Sequence, residues 1–209
     1  MKIFLTHKKG LKDRLNNILI LLTQCNFVED IEIITNENSS VVFSSESERS
    51  SILLSDFPNK NLTDREKSIF HKQYKILEKI SNQSEPGLVF EDDVFFDPLV
   101  LDNFISNLKN APLNWDFIFF GTGCNLSIEG QNFVKCTKKL KSKCADSMLI
   151  TPIAASNILK DIKENKAHFA YDWDLNYRFI KLNMNIYWYE PGITFQGSQN
   201  NIYKSEIQI

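Results

Sequence analysis

Three consecutive acids, Glu91-Asp92-Asp93, are the residues of this sequence whose types and spacing point most directly to chemistry. They follow the apolar run Gly87-Leu88-Val89-Phe90, which is short and lies between Pro86 and the turn signal Asp97-Pro98, as expected for a buried strand. Carboxylates are rarely buried without a partner, and at the carboxyl end of a strand in an open α/β sheet they face the ligand crevice. Such oxygen ligands suit Mg²⁺ or Mn²⁺, whose coordination substrate phosphates commonly complete.

The rest of the chain predicts the elements that position these acids. Strand 2–6, a helix over roughly 12–25 and strand 31–35 form the strand–helix–strand start that is typical of a parallel α/β sheet. Thr63 and Glu66 have the spacing of a capping box and predict the start of a second helix. Further strands are predicted at 41–43, 115–120, 133–137, 147–151 and 185–189, and further helices at 101–108, 152–162 and 172–182.

Composition limits the class of protein. The 209 residues suit one domain, and 43% hydrophobic residues with sixteen Phe exclude a disordered chain. A net charge of −2 gives no reason to expect nucleic acid or an anionic membrane as a partner. No stretch approaches the roughly 20 apolar residues of a transmembrane helix, and the amino terminus does not have the pattern of a signal peptide, so a cytoplasmic protein is expected. Four cysteines without metal-binding spacing are expected to be reduced thiols, and the alternative is a fortuitous disulfide among Cys124, Cys136 and Cys144.

Several segments, in the same order along the chain, resemble glycosyltransferase family 25, which contains bacterial lipooligosaccharide galactosyltransferases and related collagen galactosyltransferases. Leu88–Val94 is similar to the family's LILEDDV element, and Trp115–Gly121 is similar to its WDIIxLG strand. Similar segments also occur at Lys12-Asp13-Arg14, at Leu62–Glu66 followed by His71, and at Pro191, Gln196 and Ser205-Glu206-Ile207. Two positions depart from the family pattern, since Arg65 replaces a glycine and His71 lies about two residues early.

The resemblance implies a GT-A fold, with a Rossmann-like, mostly parallel sheet flanked by helices and a smaller antiparallel region on the acceptor side. It implies a nucleotide-sugar half at 1–123, an acceptor half at 124–209, and Mn²⁺ or Mg²⁺ as cofactor. The implied reaction moves galactose or glucose from a UDP-sugar to a glycan or glycoprotein, as in lipopolysaccharide biosynthesis. We expect a monomer or a weak dimer.

The sequence assigns the metal to Asp93 together with Glu91, because alternate residues of an extended chain share a face. Glu91 or Asp92 would hold the ribose or a metal-bound water, and the alternative is an acid cluster that caps backbone amides. Thr6 and Arg14 flank the first strand–helix turn, where nucleotides commonly bind. Arg14 would clamp phosphate, or would form a surface ion pair with Asp13 or Glu29. The remaining candidates for donor binding are Thr63, Arg65, His71, Gln196 and Ser198.

The alternatives for these candidates are structural. His71 could be a core histidine, the charge of Arg65 could simply be solvated, and the segment with Gln196 and Ser198 could be a frayed terminal loop.

Asp172-Trp173-Asp174 is the second acidic site. Inversion at the anomeric carbon, which the resemblance implies, needs a carboxylate that deprotonates the acceptor hydroxyl. Asp172 is a good helix N-cap, which would leave Asp174 free, so the sequence favours Asp174 over Asp172 as the base. Trp173 and Tyr171 could supply a surface for stacking a sugar.

Two other functions use the same acids. A metal-dependent nucleotidyltransferase or phosphotransferase is disfavoured because the chain has no GxxxxGK[ST] loop and no glycine-rich fingerprint. A non-catalytic module that binds a nucleotide or a sugar would bind without turnover and would not need Asp174.

Overall fold

A computed structural model describes residues 1–35, 41–52, 55 and 57–204. The strands are β1 (Lys2–Thr6), β2 (Asp30–Ile34), β3 (Gly87–Glu91), β4 (Val94–Phe96), β5 (Phe117–Phe119), β6 (Asn132–Lys135), β7 (Ser147–Ile150), β8 (Ile186–Glu190) and β9 (Thr194–Gln196). The α-helices are α1 (Lys12–Leu22), α2 (Glu46–Ser50), α3 (Asp64–Ser81), α4 (Pro98–Asn107), α5 (Pro152–Asn165) and α6 (Tyr171–Lys181). Short 3₁₀ turns follow at Leu108–Asn110 and Gly123–Asn125.

Seven strands form one sheet in the order β2-β1-β3-β7-β5-β8-β6. β1 pairs in parallel with β2 and β3, and β5 pairs in parallel with β8, whereas β7 is antiparallel to both of its neighbours and β6 is antiparallel to β8. Five of the seven strands therefore run in the same direction, which confirms the predicted α/β fold with a mostly parallel sheet. β4 and β9 form a separate antiparallel pair.

The sheet divides the core into two apolar layers, because successive side chains of a strand point to opposite faces. In β1, Phe4 belongs to one buried cluster, while Ile3 and Leu5 belong to the other. The first cluster contains residues of α3, α5 and α6, and the second contains residues of α1 and α4. Helices thus cover both faces, which leaves the strand ends as the exposed part of the sheet.

Most predicted elements are present, with four differences, of which one is β4, a strand that the sequence analysis does not predict. Val41–Phe43 is not a strand, since only Phe43 forms a single bridge, to Ala167. The sequence analysis missed α2, whose Ser45 and Glu48 form a capping box, and it missed β9 in the segment that follows Pro191. Of the residues that resemble family 25, Ser205-Glu206-Ile207 lie outside the described residues. Among the described helices, none has the length and apolar character of a membrane span.

The topology brings three chain segments to the acidic triplet. Thr6, the last residue of β1, is in register with Glu91, the last residue of β3. Because β7 is antiparallel to β3, its amino end meets the carboxyl end of β3, and Ser147 pairs with Phe90. Asp146 therefore lies beside the triplet, and its carbonyl accepts a hydrogen bond from the Glu91 amide at 2.9 Å.

Candidate functional site

A cavity of about 930 Å³ lies at this edge of the sheet. Its wall is formed by the ends of β1 and β3, the first turns of α3 and α6, and the segment after β9. Nine of the residues proposed from the sequence line it: Thr6, Arg14, Arg65, Glu91, Asp92, Asp93, Asp172, Gln196 and Ser198. The fold therefore gathers both acidic sites, which are far apart in the sequence, around one volume large enough for a small-molecule ligand.

The chain turns within the triplet, so the triplet does not continue as one extended strand. β3 ends at Glu91, and Asp92 and Asp93 form the turn into β4. The expectation that Glu91 and Asp93 share a face of an extended chain is therefore wrong, although both line the cavity because the turn directs them there. Asp92 is held by the residues that follow β1, since His7 Nδ1 lies 2.6 Å from its Oδ2 and the Lys8 amide donates to the same oxygen at 3.3 Å.

The end of β9 and the residues that follow it contact the other two acids. Gln196 Nε2 donates to Glu91 Oε2 at 2.7 Å, and the Ser198 amide donates to Asp93 Oδ2 at 3.2 Å. The Gly197 amide also donates to the Asp93 carbonyl at 2.7 Å. Gln196 and Ser198 thus lie next to the acids, as predicted. A hydrogen bond at each of these two residues fixes the segment to the acids.

Four carboxyl groups share this edge, and two of them, Glu91 and Asp146, have raised pKa values. Burial raises the pKa of Glu91 well above its usual range, and the neighbouring charges of Asp93, Asp146 and Asp92 raise it further. Burial also raises the pKa of Asp146 to about 7, and Asp146 Oδ1 has no hydrogen-bond partner among the described residues. Several buried carboxyl groups lie together here, and one oxygen has no partner among the described residues. A bound cation would stabilise the charged form of these groups.

These residues fit a hard divalent cation only with outside ligands. No group of three His, Cys, Asp or Glu side chains that could hold a metal occurs within the described part of the chain. Mg²⁺ is, however, commonly held by one or two carboxylates together with substrate phosphates, and Glu91 and Asp93 supply two.

Arg14 lies next to the acids but makes different contacts from those expected. Its guanidinium is buried, and Nη1 lies 3.7 Å from Asp92 Oδ1 and 3.9 Å from Asp93 Oδ2. Nη2 donates to the Lys204 carbonyl at 2.5 Å, and the group lies 5.1 Å from the centre of the Tyr203 ring. The alternative of a surface ion pair with Asp13 or Glu29 is therefore wrong. Arg14 connects the triplet to the end of the described chain.

The opposite wall is formed by the start of α6. Ala170 is the N-cap of this helix, so Asp172 is inside the first turn and faces the cavity together with Tyr171 and Trp173. Burial raises the pKa of the Asp172 carboxyl, against hydrogen bonds from the backbone that lower it. The Tyr171 hydroxyl is buried and has no hydrogen-bond partner among the described residues.

The preference for Asp174 over Asp172 rested on a wrong premise. Asp172 does not cap the helix, and Asp174 is not free, because its side chain is buried and pairs with Arg178 Nε at 2.7 Å. Asp174 Oδ1 also accepts a hydrogen bond from the His168 amide at 2.8 Å. Asp174 does not line the cavity, whereas Asp172 does.

Two donor-binding candidates lie outside the cavity wall. The Thr63 hydroxyl accepts from the Glu66 amide at 3.2 Å and completes the capping box of α3. His71 packs edge-on against Phe43, and burial lowers the pKa of its imidazole. For these two residues the structure favours a structural role, whereas Arg65, from the same segment, lines the cavity.

The sequence analysis missed several residues of the site. His7 could have been noticed because it directly follows the first strand, but Asp146 comes near the triplet only because β7 is antiparallel. A set of basic residues on the wall was also not proposed: Lys8, Lys9, Lys60 and Lys72. Together with Arg14 and Arg65 they would balance the charge of an anionic ligand next to the acids.

Comparisons with known proteins support the fold and go no further. No family model matches the chain, and the comparison with curated proteins gives no match either. Solved structures do match. The chain aligns with TarS 1-349 of S. aureus over 97% of its own length and 62% of that chain, at 11% identity and a TM-score of 0.53.

Two further solved structures align less well. The apo-form glycosyltransferase GlyE of Streptococcus pneumoniae TIGR4 aligns over 88% of this chain and 44% of its own, at 8% identity and a TM-score of 0.47. A CMP:2-keto-3-deoxy-manno-octonic acid synthetase complexed with CTP aligns over 96% and 95%, at 7% identity and a TM-score of 0.48. This chain thus spans about half the length of GlyE and TarS 1-349, and it shares an α/β fold with TarS 1-349.

Proposed function

We propose that this protein is a metal-dependent glycosyltransferase. It would transfer a hexose, galactose or glucose, from a UDP-sugar to a hydroxyl group of a glycan or glycoprotein, with inversion at the anomeric carbon. Lipopolysaccharide is the acceptor class that the similarity to family 25 suggests. One observation carries the proposal: the triplet 91–93 and Asp172 line the same cavity.

The two walls suit the two ends of such a reaction. On one wall, carboxylates and basic side chains lie together, as needed for a diphosphate and the cation that accompanies it. On the other wall, Asp172 lies next to Trp173, whose half-buried ring offers a surface for a sugar. A donor bound against the first wall would direct its sugar toward the second.

Glu91 and Asp93 would hold the Mn²⁺ or Mg²⁺ ion, since both line the cavity and Gln196 and Ser198 contact them there. The bound ion would stabilise the negative charge of the departing diphosphate. Asp92, which His7 holds in a fixed orientation, would accept hydrogen bonds from the ribose hydroxyl groups. Arg14 and Arg65 would donate to phosphate oxygens, and Gln196 would keep Glu91 oriented.

Asp172 would act as the general base. Its carboxylate would accept the proton of the acceptor hydroxyl as that oxygen attacks the anomeric carbon from the face opposite the diphosphate. A carboxyl whose pKa is raised by burial holds a transferred proton better than a solvated one, and Asp172 has this property. The transition state has oxocarbenium character, which nearby carboxylates stabilise.

Binding of UDP in the presence and absence of Mn²⁺ tests the proposal. At a UDP concentration about 100 times its Kd, binding stabilises the folded state by about 2.7 kcal/mol, which for a chain of this size raises Tm by about 5–10 °C. We expect this shift with Mn²⁺ present, and we expect it to be lost with EDTA and in Asp93→Asn. Asp13→Asn is the matched control, because Asp13 is exposed on α1 and does not line the cavity.

Turnover is then measured as UDP release from a panel of UDP-sugars. No metal-dependent shift with UDP, together with no release from any sugar nucleotide, would refute the proposal. A shift that survives in Asp93→Asn would refute the metal assignment alone. Binding without turnover would favour the non-catalytic module.

A further inference from the structure

Two cysteines that are twenty residues apart meet in the wall of the cavity. Cys124 Sγ lies 3.2 Å from Cys144 Sγ, and both residues line the cavity. Cys124 is exposed, and Cys144 is partly exposed. A disulfide bond is about 2.05 Å long, so the two sulfur atoms need to approach each other by only about 1.2 Å.

The backbone holds this pair together from both sides. Cys124 and Cys144 have φ values of 53° and 57°, a left-handed conformation that residues other than glycine adopt rarely. Gly123 packs so tightly against Cys144 that a Cβ atom at Gly123 would lie 2.7 Å from the Cys144 Cβ. The close approach of the two loops is therefore part of the fold, and the absence of a side chain at Gly123 permits it.

The two thiols differ in reactivity. The hydrogen bond between them lowers the pKa of Cys124 to about 6, and the same hydrogen bond, together with burial, raises the pKa of Cys144. At neutral pH the exposed sulfur is therefore the one that carries the negative charge, as a nucleophilic cysteine requires. The partly exposed thiol next to it is placed to act as a resolving cysteine.

The pair is connected to the acidic triplet by a chain of hydrogen bonds. Gln199 Oε1 accepts from the Cys124 amide at 2.8 Å, while Gln199 Nε2 lies 3.8 Å from Cys124 Sγ and 3.9 Å from Cys144 Sγ. Gln199 Nε2 also donates to Gln196 Oε1, and Gln196 donates to Glu91. A change at the sulfur atoms thus reaches the segment 196–199, which covers the triplet.

We propose that Cys124 and Cys144 are a thiol oxidation site that closes to a reversible disulfide and thereby loosens the segment 196–199. The oxidant is a small-molecule disulfide such as glutathione disulfide. The proposal concerns the chemistry of these two residues and holds whether or not the protein transfers a sugar.

The exchange proceeds in two steps. The Cys124 thiolate attacks one sulfur atom of glutathione disulfide, forms a mixed disulfide and expels a glutathione thiolate. Cys144 then loses its proton and attacks Cys124 Sγ, which forms the internal disulfide and expels the second glutathione thiolate. Each expelled thiolate takes up one proton. The two cysteines lose two electrons, and one glutathione disulfide is reduced to two glutathione molecules.

Oxidation changes what Gln199 contacts. A thiolate is a stronger hydrogen-bond acceptor than a disulfide sulfur, so Gln199 Nε2 loses its charged neighbour. The movement of Cys124 toward Cys144 also strains the hydrogen bond from the Cys124 amide to Gln199 Oε1. Both effects weaken the contacts that hold Gln196 and Ser198 over the acids.

The test incubates the whole protein in glutathione buffers of graded ratio and then alkylates the free thiols. Mass spectrometry is expected to show, as the oxidised fraction of the buffer rises, a protein lighter by two hydrogen atoms with a Cys124–Cys144 cross-link that dithiothreitol reverses. Cys25 and Cys136 are buried and serve as internal controls that stay reduced. Cys124→Ser and Cys144→Ser are expected to form no internal disulfide.

Hydrogen exchange of the oxidised and reduced protein measures whether the disulfide loosens the segment 196–199. We expect the amides of Gly197 and Ser198, which donate to Asp93, to exchange about threefold faster or more after oxidation, and we expect no such change in Cys144→Ser. Thiols that remain alkylatable at every ratio overturn the proposal, and so does a glutathione adduct that never resolves. Exchange rates that are equal in the two redox states overturn it as well.

Discussion

Replacement of Asp174 tests whether this residue of the second acidic site has a structural role, because a structural role predicts a loss of stability. Asp174→Ala is expected to destabilise the protein strongly, because Arg178 is fully buried and would lose the carboxylate on its Nε. The amides of His168 and Phe169 would also lose their acceptor, Asp174 Oδ1. The substitution therefore leaves one buried cation and two backbone donors with fewer partners.

The expected loss of unfolding free energy in Asp174→Ala follows from these contacts. Breaking a buried ion pair by removing one partner costs about 3–5 kcal/mol. Arg178 keeps Asp161 at Nη1 and the Lys166 carbonyl at Nη2, so its charge is still compensated and the lower end of this range applies. About 3 kcal/mol corresponds to a fall in Tm of about 6–12 °C for a chain of this length.

Urea denaturation followed by circular dichroism gives the free energy of unfolding, and Asp172→Asn is the matched comparison. Burial raises the pKa of Asp172 in the folded state, so neutralising this side chain removes an unfavourable charge and is not expected to lower the stability at neutral pH. If Asp174→Ala loses less than about 1 kcal/mol, or if Asp172→Asn is the less stable variant, the assignment of the structural role to Asp174 is refuted.

Two further predictions concern the proposed base and the start of α3. Asp172→Asn is expected to reduce transfer about 10²–10⁴-fold while UDP affinity stays unchanged. In the wild type, kcat/KM should fall on the acid side at a pH above the ordinary aspartate pKa of 3.8, because the base works deprotonated and burial raises its pKa. An unchanged transfer rate in Asp172→Asn contradicts the assignment of Asp172 as the base. Thr63→Ala is expected to lower Tm by about 2–4 °C through the loss of about 1 kcal/mol of capping, whereas Thr63→Ser retains the cap. Equal Tm values for the two variants would show that the hydroxyl does not stabilise the helix.

Local signals in the sequence predicted most elements correctly. The start of α3 follows from Thr63 and Glu66 alone, because a capping box involves residues three apart. The run 87–90 predicted β3, since a short buried strand between turn signals needs no distant information. The position of the triplet at a cavity followed from the same reasoning about strand ends.

Distant pairings could not be predicted in this way. Periodicity does not show that β7 runs antiparallel between β3 and β5, and this direction alone brings Asp146 to the triplet. The contact of Cys124 with Cys144 depends on two loops in rare backbone conformations, which no local pattern reports. The spacing of Asp174 and Arg178, four residues apart on one helix, could have indicated the buried ion pair that they form.

The place of β7 in the sheet has a consequence for how the protein folds. β3 and β5 are not neighbours, and the strand that joins them begins only at Ser147. The first 123 residues therefore contain the acidic triplet but cannot complete the centre of the sheet that supports it. Pairing of β7 with β3 and contact of Ser198 with Asp93 both join segments distant in sequence, so they are expected to slow folding.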